Sequence, residues 1–343
     1  MNKNNLTKEL VTRTNQFSFY KYIGILPNPD KLFTRYGTYK AYRDLKSDTH
    51  LWACIQSRKA GVLSHMYNIQ QGKTNDYIFN FISDNFQKLD IDKLISQILD
   101  AILMGFQVFE IFWEQVNFKN NLLYSIKDID ARPQEYFFFD LRGELHLKNK
   151  SFNSMQKSKK IPLYKTLLVQ YEADYDNPYG QSLLSKCYWV CTFKNTAMRF
   201  WVNFIEKFGL PTIIASTLNN LDDNEAQTLM DSLLKMQDLN TIVAGGGINL
   251  QLYDNNKNGN VELYRELINI CNAEISKVIL SQTLTTEIQT GSYAAAKTHF
   301  DVRNDVVESD LEFVEKHINL LLEQTCELNF GKNAIIPVFK FEK

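Results

Sequence analysis

Five histidines, five cysteines, two acid pairs and one glycine triplet are the residues of this chain whose types could do chemistry. The histidines are His50, His65, His146, His299 and His317. No two stand at the i, i+4 spacing that lets two imidazoles grip a metal from one helix face. None stands beside a Ser or Cys in a nucleophile motif. They read as surface or helix-face histidines. Among Cys54, Cys187, Cys191, Cys271 and Cys326, only Cys187 and Cys191 are close, and they stack on one helix face with no second pair to complete a zinc site. Reduced, buried thiols in a reducing compartment are expected. Asp222-Asp223 and Asp174–Asp176 fall at a helix start and a turn, where capping explains them. Gly245-Gly246-Gly247 lies between strand-like pieces. A phosphate cradle needs glycines that open a helix, with a Lys and a Ser or Thr behind them, so this triplet reads as a tight turn. No catalytic set, metal site or cofactor is expected.

Two further features concern charge. In FQVFEIFWEQV, strand alternation places Glu110 on the face of Phe106, Val108 and Phe112. If that face packs inward, the carboxylate needs a cation, because an unpaired buried charge is too costly. Arg58, on the apolar stripe of the preceding helix, is the natural candidate, and the expectation is an Arg58–Glu110 ion pair. The other reading is a two-faced strand with Glu110 at its exposed end. The stretch TTEIQTGSYAAAK joins two helices, with Ser292 as N-cap and Ala294–Ala296 in the first turn. Its polar loop, with Glu287 as its one charge, is a candidate contact or gating segment.

The elements that must position these residues follow from periodicity. Pro27 and Pro29 mark residues 1–35 as an extended arm. A helix from Asp48 carries Leu51, Ile55, Val62 and Arg58 on one face, and gives way to a strand around Tyr67–Gln70. IDKLISQILDAILMG is a second helix stopped by Gly105. The period then changes to two through FQVFEIFWEQV, EYFFFD, GELHL and TLLVQY, a largely antiparallel set of strands. From Ser182 to Lys207 a long helix is expected, ended by Gly209 and Pro211. A small insert follows: the strand PTIIAS, the helix DDNEAQTLMDSLLKM, and a strand pair from TIVAG to INLQLYD. VELYRELINICNAEISKVIL is a second long helix. A third runs from about Tyr293 to Asn329, closed by Gly331, and IIPVFKF is a terminal strand. Tyr188, Trp189, Phe193, Phe200, Trp201 and Phe204 spread over much of the first long helix, where burial on one side alone would give a narrow stripe with a polar back.

The chain has 343 residues, 44% hydrophobic and 22% charged, which is neither disordered nor fibrous composition. Lys and Arg total 38 against 39 Asp and Glu, a net charge of -1. That balance argues against a protein that grips nucleic acid by its backbone, since such binding displaces counterions with a surplus of cations. The N-terminal stretch has no apolar core to act as a signal peptide, and no apolar run approaches membrane-spanning length. The expectation is a protein of the cytosol, or one assembled from it.

Four segments carry a resemblance. They are SDTHLWACIQSRKAGVLSHMYNIQ, ILMGFQVFEIFWEQ, GQSLLSKCYWVCTFKNTAMRFWVNFIEKFGLP and NAEISKVILSQTLTTEIQTGSYAAAKTHFDVRNDVVESD. In their joint order and wording they resemble the portal protein family of Mu-type tailed bacteriophages. The resemblance implies an α+β, portal-like subunit with an α/β wing, two long stem helices, a small α/β clip and a long wing helix. It implies a twelve-fold ring at a capsid vertex through which double-stranded DNA is packed and ejected, without catalysis or cofactor. The implied partners are further copies of the chain, the DNA, a packaging terminase, and capsid and head–tail adaptor proteins, with no membrane. The implied location is the virion, with assembly in the host cytoplasm.

Mapped onto this chain, the resemblance implies an arm over 1–35, a wing over 36–180 and a first stem helix over 181–210. A clip over 211–258, a second stem helix over 259–283 and a tunnel loop over 284–292 follow, then the wing helix and terminal strand over 293–343. Thr285, Thr286, Gln289 and Thr290 would face the channel, and Trp189, Phe193 and Trp201 a neighbouring subunit. Family members continue past this point into a crown-type extension, so no full crown is expected here. Two other readings stay open. One is a ring-forming adaptor or structural protein of a phage-derived particle or prophage remnant. The other is a small hydrolase or nuclease, which the missing acid, metal and nucleophile set disfavours.

Overall fold

Gly105, at φ 93°, is the point where helix gives way to sheet. The computed structural model describes residues 25–26, 28–148, 159–208, 212–217, 222–239, 248–253, 258–283 and 293–342. Before Gly105 lie β1 (Ile25–Leu26), α1 (Lys31–Tyr36), α2 (Lys40–Leu45), α3 (Thr49–Leu63), β2 (Tyr67–Gln70), α4 (Asp76–Phe86) and α5 (Ile91–Met104). Side-chain caps start four of these helices: Asp30, Asp48, Asn75 and Asp90 each accept a first-turn N–H. Of the arm expected over 1–35, residues 1–24 lie outside the described residues, and the part from Lys31 is helical in α1. Prolines bar helix at the residues before them, but Asp30 stands after Pro29 and caps a helix at once.

β3 (Phe106–Phe118) and β4 (Asn121–Arg132) form an antiparallel hairpin. Lys119 and Asn120 take positive φ in its two-residue turn. β4 is not among the strands expected from the pattern. A bulge opposite Phe112 and Trp113 makes Lys127 the extra residue, so consecutive Ser125 and Ile126 are both buried and the period of two is lost. β8 (Thr166–Gln170) joins the other edge of β3, giving the order β4-β3-β8. β5 (Phe137–Asp140), β6 (Leu145–Leu147) and β7 (Lys159–Lys160) form a second antiparallel sheet with β1.

The long helices follow: α6 (Leu183–Phe208), α8 (Asn258–Leu280) and α9 (Tyr293–Phe330). At 1.5 Å per residue, α6 is roughly 40 Å long. Between α6 and α8 lie β9 (Thr212–Thr217), α7 (Asp223–Leu239) and β10 (Ile248–Tyr253). β10 pairs antiparallel with β9; TIVAG and the glycine triplet lie outside the described residues. α7 opens with a reciprocal capping box, Glu225 N–H to Asp222 Oδ1 at 2.7 Å and Asp222 N–H to Glu225 Oε2 at 3.3 Å. β11 (Val338–Phe341) pairs with β2.

The chain divides into two compact units, Met1–Cys191 with Asn272–Lys343, and Thr192–Cys271. The core of the first unites α5 (Leu94, Ile98, Ile102), β3 (Phe106, Val108, Phe109), the start of α6 (Leu184, Cys187) and α9 (Val314, Ile318, Leu321). No helix among the described residues is long and apolar enough to cross a membrane.

Two glycines fix how these elements cross. Tyr171 N–H donates to Gly105 O, and Gln181 N–H donates to Tyr171 O, both at 2.9 Å. A Cβ on Gly105 would lie 2.6 Å from Tyr179 O, and one on Gly180 would strike the carbonyls of Gly105 and Tyr171. Both residues have positive φ, so glycine is required for conformation and for space. Gly72 also has positive φ but faces open space. Gly180→Ala is therefore expected to lower the unfolding free energy by more than about 2 kcal/mol, and Gly72→Ala by only about 1. Urea denaturation of the two variants checks the difference.

Candidate functional site

Among the described residues, the histidines and cysteines take structural positions; the His299 side chain lies outside them. His65 and His317 each bond through Nδ1 to a carbonyl one turn back, Gly61 O and Phe313 O. Burial holds the His317 imidazole below its ordinary pKa. All five cysteines are buried thiols. Burial pushes the Cys326 thiol up to about 12 and Cys187 further still, so neither is a nucleophile at neutral pH. Asp174 accepts the Asn177 N–H at 2.6 Å in a turn, and Asp222 caps α7.

Sequence spacing missed two polar groupings. His50 Nε2 lies 2.8 Å from Ser276 Oγ, but Ser276 is wholly buried, so the pair binds α3 to α8 and reaches no substrate. Asp140, Glu144 and His146 are the one group among the described residues that brings three potential metal-ligating atoms together, within 4.8 Å. Asp140 Oδ1 is occupied by the N–H groups of Arg142 and Glu144, and Oδ2 meets His146 Nε2 at 3.2 Å. Those bonds describe a turn anchor.

The expected Arg58–Glu110 pair does not form. Arg58 Nε and Nη2 grip Asp310 of α9 at 2.7 and 2.8 Å, and Nη1 donates to Ile279 O of α8 at 2.7 Å. The side chains are 10% and 2% exposed, a buried bidentate pair. Glu110 is 33% exposed and takes Arg132 Nε at 2.8 Å and Lys165 Nζ at 3.4 Å. Burial acts to raise its pKa, but hydrogen bonds from Arg132 and Lys165 outweigh that and hold the carboxyl below its ordinary value. The physical reason for the correction is the hairpin. Arg132 sits on β4, the strand absent from the sequence reading, and meets Glu110 before any helix can. Asp310 carried a readable signal, an acid on the buried α9 stripe of Val307, Leu311 and Val314.

The two helices that cross from one unit to the other carry the surface that needs explanation. On α6, Trp189, Phe193 and Phe200 are 52%, 55% and 58% exposed, while Trp201 is half-buried. Within the second unit Phe204 of α6 meets Tyr264 of α8, ring centroids 6.0 Å apart. Leu263, Leu267 and Ile270 of α8 are exposed as well. Large apolar side chains are thus left exposed along both helices. Arg35 lies over the Trp189 ring at 5.4 Å, and Tyr36 bonds Tyr188 through their hydroxyls. Thr285, Thr286, Gln289 and Thr290 lie outside the described residues.

Comparison with known proteins follows the same lines. A family model described as the portal protein of Mu bacteriophage matches residues 39–343. The chain is 24% identical over 314 residues to the Mu-like prophage FluMu protein gp29 of Haemophilus influenzae, covering 87% of this chain and 58% of that protein. It is 22% identical over 288 residues to the portal protein of Escherichia phage Mu, covering 80% of this chain and 53% of that one. The chain thus spans a little over half the length of these curated relatives. Among solved structures it resembles a chain in the neck of an empty GTA particle with C6 symmetry, at TM-score 0.60 and 11% identity, covering 92% and 85% of the two chains. A chain in the neck of a native GTA particle with C12 symmetry gives TM-score 0.58 and 9% identity, covering 96% and 89%. At such identities the likeness is one of fold.

The two ion pairs separate burial from proximity. Arg58→Met strands Asp310 in the core and is expected to cost about 3–5 kcal/mol, whereas Glu110→Ala removes a half-exposed pair worth under about 1 kcal/mol. Chemical denaturation at neutral pH measures both.

Proposed function

We propose a function from one premise: this chain belongs to the family of Mu bacteriophage portal proteins, whose model matches residues 39–343. The proposed protein is a subunit of a ring at a phage capsid vertex, a structural conduit through which double-stranded DNA is packed and ejected, with no catalysis of its own. The family match over most of the chain carries this reading. Its partners would be further copies of itself, capsid and head–tail adaptor proteins, a packaging terminase and the DNA. Its place would be the virion, after assembly in the host cytoplasm.

The proposed division follows the elements. The wing is the α/β section over 36–180 with α9 and β11, and the stem is α6 and α8. The clip is the β9–α7–β10 insert, and the tunnel loop is 284–292. The exposed apolar residues of α6 and α8 support a subunit contact. A ring uses a head-to-tail interface in which two different patches meet, so broad apolar coverage of a helix pair suits it better than one narrow stripe. A net charge of -1 suits a conduit too, since each retained phosphate–cation contact would brake sliding DNA.

Native mass spectrometry of the purified protein is expected to give one discrete ring without DNA; a monomer at high concentration would defeat the proposal. Trp189→Asp and Trp201→Asp should each leave a folded subunit, by circular dichroism, that no longer assembles, because a charge would have to enter a desolvated contact. Thr285→Lys or Gln289→Lys should leave the ring intact yet slow DNA passage and make it more salt-sensitive, measured by packaging rate against ionic strength.

A further inference from the structure

Beside α2, α5 and the turn from Arg132 to Tyr136 lies a cavity of about 820 Å³. Met104, Ala131, Pro133 and Tyr136 give it apolar walls, and Tyr136 is half exposed. Its charged rim is out of balance. Lys46 leans on Asp100 at 3.1 Å, a carboxylate that Lys59, outside the cavity lining, also holds at 3.1 Å. Arg43 forks onto Glu135 at 2.6 and 2.7 Å, engaging both carboxylate oxygens. Arg132 is matched by Glu110. Lys148 also lines the cavity, and the acid that acts on it is Glu135, already held by Arg43. Four cations, Arg43, Lys46, Arg132 and Lys148, thus line the cavity with two carboxylates, Asp100 and Glu135, in a chain whose net charge is -1.

We propose that this cavity docks a peptide segment of another protein, one carrying carboxylates beside an apolar side chain. The carboxylates would meet Lys148 and Lys46, and the apolar side chain would fill the hollow between Met104, Pro133 and Tyr136. Desolvation lowers the Lys148 pKa against the pull of Glu135, and an incoming carboxylate would act in the same direction as Glu135. Nucleic acid is the poorer match. Backbone phosphates are held by an exposed row of cations, whereas here the cations ring an apolar hollow with acids among them. The two longest of the chain's own segments outside the described residues fit no better. Residues 1–24 carry Lys3, Lys8, Arg13 and Lys21 against Glu9 alone, and residues 149–158 carry lysines and no acid. The surface proposed for self-contact is apolar, so a second copy is also poorly matched. The inference stands apart from the ring reading and is tested separately.

The probe is a fluorescently labelled acetyl-DDLFDE-amide, titrated into the full-length protein at low salt, with acetyl-NNLFNQ-amide as its neutral counterpart. The acidic peptide is expected to bind at least about tenfold more tightly, with affinity falling as salt rises. Lys148→Gln and Lys46→Gln should each weaken it severalfold, while Lys93→Gln, an exposed lysine outside the cavity, should not. Assembly state should be unchanged in all three variants. Equal binding of both peptides, or undiminished binding by Lys148→Gln, overturns the proposal. Tighter binding of a dodecamer of deoxythymidine, lost in Lys148→Gln, would overturn it in favour of nucleic acid. Tighter binding of a peptide of residues 219–226 of this chain, with assembly lost in Lys148→Gln, would overturn it in favour of a second copy.

Discussion

The crossing of Gly105 and Gly180 is the constraint on which the rest of the main body depends. Three elements meet there through their backbones: the end of α5, the end of β8 and the approach to α6. Ser182 locks the same corner. Its hydroxyl donates to Leu103 O at 2.7 Å and accepts the Ser185 N–H at 3.0 Å, so one side chain closes α5 and caps α6. A long helix magnifies any error in its starting direction, and backbone-to-backbone contact without intervening side chains leaves little room for such error. The cost is that these two positions tolerate no Cβ, while the surrounding surface is free to change.

Charge is used sparingly and in two distinct ways. Arg58 ties α3, α8 and α9 with one guanidinium, giving two bonds to Asp310 and a third to Ile279 O near the end of α8. Apolar residues could fill that volume with equal stability, but they make no directional bonds. The planar fork of arginine does, because it satisfies a carboxylate and a carbonyl at fixed angles. Around the cavity of Arg43 and Lys148 the opposite holds: cations crowd fewer acids, and the imbalance leaves bonding capacity for something outside the subunit.

Much of the architecture was legible because its elements are long and their periods clean. α5, α6, α8 and α9 emerge from apolar residues three and four apart, and Gly105 and Gly331 stop helices where expected. The capping box of α7 was visible in its acidic start. Elements that break a period were not legible. β4 hides behind its bulge at Lys127, and α1 behind the two prolines that precede its cap. Charge partners were harder still, since Arg58 and Asp310 stand far apart in the chain and only the packing of α3 on α9 unites them. An acid on an apolar helix stripe was readable on its own; which arginine it meets was not.

The pairing of β11 with β2 has a consequence in time. The main body is discontinuous: it closes only when Val338–Phe341 reach Tyr67–Gln70, and Arg58 finds Asp310 only after most of α9 has been made. α6 leaves the ribosome well before either event, with its tryptophans and phenylalanines already in water. Contacts so distant in sequence form late, because loop closure must precede them. The helix with these exposed aromatic residues is therefore made before the fold it starts from can close, so chaperone capture or partner encounter during synthesis would act on this one stretch of chain.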